Sequence, residues 1–279
     1  MRAAVLLLLA GCAEAEGPGA TFLGAYEWRD DRAGLGGFSA IELDADGLGF
    51  VALSDRAATV RGRLVRGPDG AVTGVEAAMG PLRDPTGAPL RGPRADSEGL
   101  ALAPDGALYV SFEGSARVRR EAPDGPALLP VHPDWVGLPR NASLEALAVD
   151  VEGRLLAIPE SPVDGVFPVW RFEDGAWEVA FRFPPRDGFE VTGADIGPDG
   201  RLVVLERAFN GWAFASRLRR FALDGTGEEV LLTTPYGARD NLEGVAVWAD
   251  EGGLRATLIS DDNFRFFQRT EIVDYRLPP

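Results

Sequence analysis

Apolar and polar residues alternate along most of this chain in short runs broken by Asp-Gly turns, the pattern of antiparallel hairpins. Five such hairpins align: AIELDADGLGFVALSD from Ala40, GLALAPDGALYVSFE from Gly99, ALAVDVEGRLLAIPE from Ala146, ADIGPDGRLVVLE from Ala194 and GVAVWADEGGLRATLISD from Gly244. Their turn glycines stand at 47, 106, 153, 200 and about 252. A second set lies between them, turning at Gly70, Gly125, Gly175 and Gly225. Each repeat therefore holds two hairpins, or four antiparallel strands, in about 50 residues, and no helix-period segment of useful length appears past residue 20.

That period and strand count predict an all-β chain folded as a β-propeller, in which radial stacking buries both faces of every small sheet. Five blades are expected; a sixth is possible if the long Ala58–Pro93 stretch hides one, although a loop containing GPLRDPTGAPLRGPR accounts for its length. The last repeat has only one further strand, TEIVDYRL from Thr270, and TFLGAYEWR from Thr21 is a strand without a repeat. Pairing the two completes the final blade and closes the ring, which removes exposed edges. Trp170, Trp177, Phe172, Phe181 and Phe183 fall in outer strands and read as packing between blades. No linker divides residues 21–279, so they form one domain.

Acidic residues recur at fixed places in this repeat. The first strands begin near Glu98, Glu145, Asp195 and Glu243, and the second strands end on Asp55, Glu113, Glu160, Glu206 and Asp261. In a hairpin those two places share one edge, so ring symmetry carries all of them to one rim of a central channel. Crowded carboxylates raise one another's pKa or demand a cation. Oxygen ligands without cysteine or clustered histidine select Ca2+ or Mg2+ over zinc or copper. The opposing reading is that these acids accept backbone N–H bonds at strand ends or pair with nearby arginines. Arg56, Arg117, Arg207 and Arg265 lie close behind in sequence, and Arg56 and Arg207 are the preferred substrate arginines.

Other chemistry is poorly provided for. His132 is the only histidine and lies at an outer-strand end, in LLPVHPDW, away from the rim. No G-x-S-x-G elbow occurs, and no glycine-rich phosphate cradle opens a helix. With 43 acidic and 28 basic residues, all the latter arginine, the net charge is −15, which repels nucleic-acid backbones. The start, MRAAVLLLLAGC, reads as a short signal ending in a lipobox, with Cys12 as the lipidated residue and residues 1–20 as signal and tether. A periplasmic protein anchored by lipid to the outer membrane is expected; cleavage after Ala15 would leave a soluble periplasmic one. Cys12 is the only cysteine, which excludes an intramolecular disulfide.

The segments DSEGLALAPDGALYVSFEG, NASLEALAVDVEGRLLAIPE, TGADIGPDGRLVVLERAF and NLEGVAVW, the last joined by the later LISDDNF, resemble the bacterial phytase-like propeller family labelled "esterase-like activity of phytase". The resemblance covers essentially residues 21–279. It implies ester or phosphate-ester hydrolysis, with the acids above as a metal and substrate rim. On that expectation Glu98, Glu145, Glu206 and Glu243 are the catalytic carboxylates, and Asp55, Glu113, Glu160, Asp195 and Asp261 ligate Ca2+. The partner is a small anionic ester or phosphate ester, and the protein acts as a monomer. A non-catalytic propeller that binds a ligand or a protein, with calcium as a plug, remains open beside it.

Overall fold

A computed structural model describes residues 19–279 except positions 31, 33, 93, 94, 123 and 124; the proposed signal and Cys12 lie outside the described residues. Four blades follow the chain directly. They are β2 (Phe38–Leu43), β3 (Gly49–Ser54), β4 (Ala58–Arg66) and β5 (Val72–Pro81); β6 (Ser97–Leu102), β7 (Leu108–Phe112), β8 (Arg117–Glu121) and β9 (Ala127–Leu128); β10 (Leu144–Val149), β11 (Leu155–Pro159), β12 (Phe167–Glu173) and β13 (Ala176–Phe183); β14 (Glu190–Ile196), β15 (Leu202–Phe209), β16 (Phe214–Phe221) and β17 (Glu229–Thr233). The fifth is β18 (Asn241–Asp250), β19 (Gly253–Asp261) and β20 (Glu271–Arg276), completed by the N-terminal strand β1 (Thr21–Glu27).

The protein is thus a five-bladed propeller with the expected closure. β1 pairs antiparallel with β20 from Thr21 opposite Arg276 to Glu27 opposite Glu271. No sixth blade hides in the long early stretch. β4 and β5 are long strands paired as far as Ala58 opposite Pro81, and beyond them the chain forms only a small bridge from Arg83 to Pro89.

The buried apolar side chains fall into five main clusters, each lying between two consecutive blades. Phe181 and Phe183 meet Phe221 of the next blade, whereas Trp170 and Trp177 pack on Trp135 toward the preceding one. No blade buries both faces alone, so the core exists only when the ring is assembled. Trp135 is carried by a short 3-10 helix, Pro133–Gly137, whose preceding residue His132 accepts the Asp134 N–H on Nδ1 at 3.2 Å. That assigns the lone histidine a capping bond on the loop.

Candidate carboxylate rim

The site is built by one irregularity repeated five times. In each blade the register of the innermost strand against its neighbour slips near the strand start: between Phe38 and Ala40, Ser97 and Leu100, Leu144 and Ala146, Val191 and Gly193, and Leu242 and Gly244. A bulge of this kind turns its extra residue out of the ladder and re-aims the side chain. The residues so turned are Ser39, Glu98, Glu145, Thr192 and Glu243, with Gly99 sharing the second bulge.

Immediately after each turned-out residue stands Ala40, Gly99, Ala146, Gly193 or Gly244, and here small size is a requirement. A Cβ on Gly193 would lie 2.5 Å from the carbonyl oxygen of Glu243, and one on Gly244 would lie 2.8 Å from the Ile41 nitrogen. Neighbouring inner strands therefore touch backbone to backbone around the axis. The space left between them is about 10 Å³, barely one water. The expected channel is closed at this level, and the glutamates crown a plugged axis.

The second ring of side chains comes from the ends of the second strands. Glu113 and Glu160 stand seven residues after turn glycines 106 and 153, and the residue seven after Gly200 is Arg207, not Glu206. Asp55 and Asp261 fill the corresponding places in the first and fifth blades. Asp55, Glu98, Glu113, Glu145, Glu160, Glu243 and Asp261 are thus brought together, joined by Asp96 and with Arg207 among them.

Two expected members are not. Glu206 is one residue out of register, and a single step along a strand sends a side chain to the opposite face. It is fully buried between the blades, with Oε2 accepting from Arg217 Nε at 2.7 Å and Oε1 from Arg219 Nη1 at 2.9 Å. Asp195 lies three residues beyond the Thr192 bulge, toward the other end of the inner strand. It accepts N–H bonds from Ile196 at 2.7 Å and from Val247 of the next blade at 2.6 Å. Glu42 occupies the same step in the first blade and accepts from Leu102 of its own neighbour at 3.3 Å. These two acids tie adjacent inner strands together beneath the rim.

Within the rim the carboxylates differ in what holds them. Arg207 donates to Glu160 at 3.1 Å, to Asn241 Oδ1 at 2.8 Å and closely to Glu243, which also accepts from Asn241 Nδ2 at 2.7 Å. Glu113 accepts the Ser143 N–H at 3.0 Å, and Asp261 that of Asn263 at 2.6 Å. Glu98 and Glu145 are more than nine-tenths buried, and among the described residues no side-chain or backbone donor reaches either carboxylate. Burial, and then neighbouring carboxylates, push both well above the ordinary range. Burial likewise raises Asp261 to about 8, Glu160 to about 7 despite the opposing Arg207 charge, and Asp55 to about 6.

One oxygen each from Asp96, Glu98 and Glu113 lie within 4.8 Å of one another, and so do those of Glu113, Glu145 and Glu160. Two oxygens on one calcium ion are at most about 5 Å apart, since each sits 2.3–2.6 Å from the metal. The donor set and its unpartnered buried members therefore fit a hard divalent cation. The two arginines divide: Arg207 is engaged on every side, whereas Arg56, with 63% of its side chain exposed, lies over the Phe264 ring at 3.4 Å and reaches Asp55 only at 4.0 Å. Asp96, Asn241 and the hydroxyl bulges Ser39 and Thr192 are not among the residues the sequence pointed to; the shared offset from turn glycines 47 and 200 finds Ser39 and Thr192, whereas Asp96 and Asn241 stand two residues before the bulge glutamates Glu98 and Glu243.

With that geometry described, comparison with known proteins supplies the family. A family model for "Phytase-like: Esterase-like activity of phytase" matches residues 33–264. The chain belongs to the phytase-like family. No curated protein matches it. Among solved structures, the PQQ-bound aldose sugar dehydrogenase of Streptomyces coelicolor is 18% identical with a TM-score of 0.48, covering 94% of this chain and 100% of that one. Virginiamycin B lyase of Staphylococcus aureus is 14% identical with a TM-score of 0.46, covering 92% of this chain and 75% of that one.

Proposed function

We propose that this phytase-like propeller is a metal-dependent hydrolase of phosphate esters or other small esters. The observation that carries the reading is the pair Glu98 and Glu145, two buried carboxylates without a hydrogen-bond partner among the described residues, each beside Glu113. Burying an unpaired anion is costly, and a cation between them offsets that cost. Glu98, Glu113 and Glu145 would hold Ca2+, with Asp96 and Glu160 at its sides. A bound Ca2+ supplies Lewis acidity toward an ester or phosphoryl oxygen.

The remaining roles belong to the chain's own residues. Glu160, raised to about 7, can accept or return a proton near neutral pH at its free carboxylate oxygen. Arg207 orients Glu160 and Glu243, and Arg56, the more exposed and more weakly held of the two, would hold an incoming anion. Neither Glu206 nor Asp195 is assigned a part in this set. Export to the periplasm on a lipid at Cys12 belongs to the same proposal and is tested by Cys12→Ser, which should move the protein out of the membrane fraction.

The decisive experiment compares metal-stripped and calcium-loaded protein on a panel of phosphate and carboxyl esters. Turnover that appears with calcium and is lost in Glu98→Gln and Glu145→Gln supports the hydrolase. Calcium binding without turnover of any ester leaves the second reading, a ligand-binding propeller with a structural ion. That reading draws its support from Arg207, which already neutralises Glu160 and Glu243 as a structural counter-ion would.

A further inference from the structure

Beside the rim, between the second and third blades, the structure holds a groove of about 450 Å³, within the size range of small-molecule sites. Its lining is mixed, and Leu128, Leu129, Val131 and Val136, with Trp135, make an apolar side to it. Leu128, Val131 and Val136 are exposed, at 65%, 51% and 85%, and stand together on this one groove. The charged residues in the lining are Arg117 and Arg140, and no aspartate or glutamate among the described residues contributes. In a chain with 43 acids against 28 arginines, a carboxylate-free concavity with two guanidinium groups is a local reversal of charge.

Two further features point to a ligand. Ser143 lines the groove, is 2% exposed, and its Oγ has no hydrogen-bond partner among the described residues; the indole N–H of Trp135 is likewise buried and unsatisfied. An orphaned buried donor costs about 1–3 kcal/mol unless an acceptor arrives. Ser143 also connects the groove to the rim, because its backbone N–H is the bond that Glu113 accepts.

We propose that this groove binds a small organic phosphate by its apolar group, with Arg117 and Arg140 on the anion and Ser143 donating into the groove. This deepens the hydrolase reading, on which it rests for turnover, by naming the substrate as an amphiphilic phosphate monoester. The occupant is set by complementarity: an apolar side for the alkyl or aryl part, two arginines for the charge, and an acceptor for the orphaned hydroxyl.

Calorimetry on the calcium-free full chain tests binding apart from catalysis, using hexyl phosphate, inorganic phosphate and hexanol as probes. Hexyl phosphate is expected to bind at least tenfold more tightly than either fragment. Arg140→Glu and Val136→Asp, both at exposed positions, should each weaken it at least tenfold with an unchanged melting temperature. Equal affinity for hexyl and inorganic phosphate, or variants that bind like the wild type, would overturn the proposal. If hexyl phosphate binds in the groove but calcium-loaded protein hydrolyses no ester, the groove stands and the hydrolase reading fails. If esters turn over equally in wild type and both variants, the hydrolase reading stands and the groove fails.

Discussion

Glu206 and Glu145 are both buried glutamates on neighbouring blades, yet they sit in opposite circumstances. Glu206 lies between blades with a guanidinium on each oxygen, from Arg217 and Arg219. Glu145 sits at a bulge above the axis, among other carboxylates, with the Arg207 charge nearby but no hydrogen-bond donor on it. A buried charge with its partners supplied is part of the scaffold, whereas one without them is available to something from outside. The pair shows why counting acids does not find a site; what surrounds each acid does.

The comparison can be broken most severely at Glu206. Glu206→Gln removes the buried carboxylate from between Arg217 and Arg219, which keep Asp187 and Glu228 at 3.0 and 2.9 Å, and breaking such a buried pair costs about 3–5 kcal/mol. A large fall in melting temperature is expected, together with a calcium response of normal size. A Glu206 variant that melts like the wild type would make the two glutamates equivalent and undo the distinction.

Next in size is calcium itself. A ligand at a hundred times its dissociation constant adds about 2.7 kcal/mol, several degrees of melting temperature for a domain of this size. Differential scanning fluorimetry should show that rise on adding calcium and its reversal by EDTA. Glu145→Gln should abolish the rise while stabilising the calcium-free protein, because it removes one of the repelling charges. Glu173→Gln, at an exposed outer-strand acid paired with Arg171, should leave the rise intact.

A smaller effect comes from pH. Asp261, Glu160 and Asp55 have folded-state pKa values above their unfolded ones, about 8, 7 and 6. The folded chain therefore binds more protons than the unfolded one between about pH 4 and pH 8, and stability falls as pH rises through that window. Below it both states are protonated and the contribution is fully present. Melting curves in EDTA should decline across the window, and calcium should flatten the decline near neutrality. A calcium-free curve that rises with pH toward 8 would contradict the rim electrostatics.

The smallest expected change in stability is at Arg56→Ala, since the guanidinium is largely exposed and its contact with Asp55 is long. The melting temperature should stay within about a degree of wild type, in keeping with a surface substitution. Turnover of any phosphate ester found in the panel should fall through a raised KM. Arg207→Ala should do the reverse, lowering the melting temperature and releasing Glu160 and Glu243.

Much of this was legible in the chain. Asp-Gly turns at a spacing near 50 residues specify four short strands per unit, and units of that kind bury their faces only by stacking in a ring. The leftover strands at Thr21 and Thr270 specified the closure. The rim was legible in outline because ring symmetry carries repeated positions to one place. The repeat misleads at Glu206, which stands next to the repeat position without occupying it, and Arg207 in LERAF holds the place instead. It misleads at Asp195 because Thr192, not an acid, holds in that blade the bulge place that Glu98 and Glu145 hold in theirs, and Asp195 lies three residues past it.

Alternation, turn chemistry and repeat length are local properties, and they determined the propeller and the acidic character of one face, while the structure decided for five blades over six. Partnership is not local. Whether a glutamate meets an arginine, an amide or another glutamate depends on side chains tens or hundreds of residues away. The β15–β16 hairpin itself sets Glu206 opposite Arg217, but only the assembled ring brought Arg207 to Glu160 and Glu243 and left Glu98 and Glu145 without donors. It also closed the axis, since the close approach of Gly193 to Glu243 and of Gly244 to Ile41 is a contact between blades that no single repeat contains.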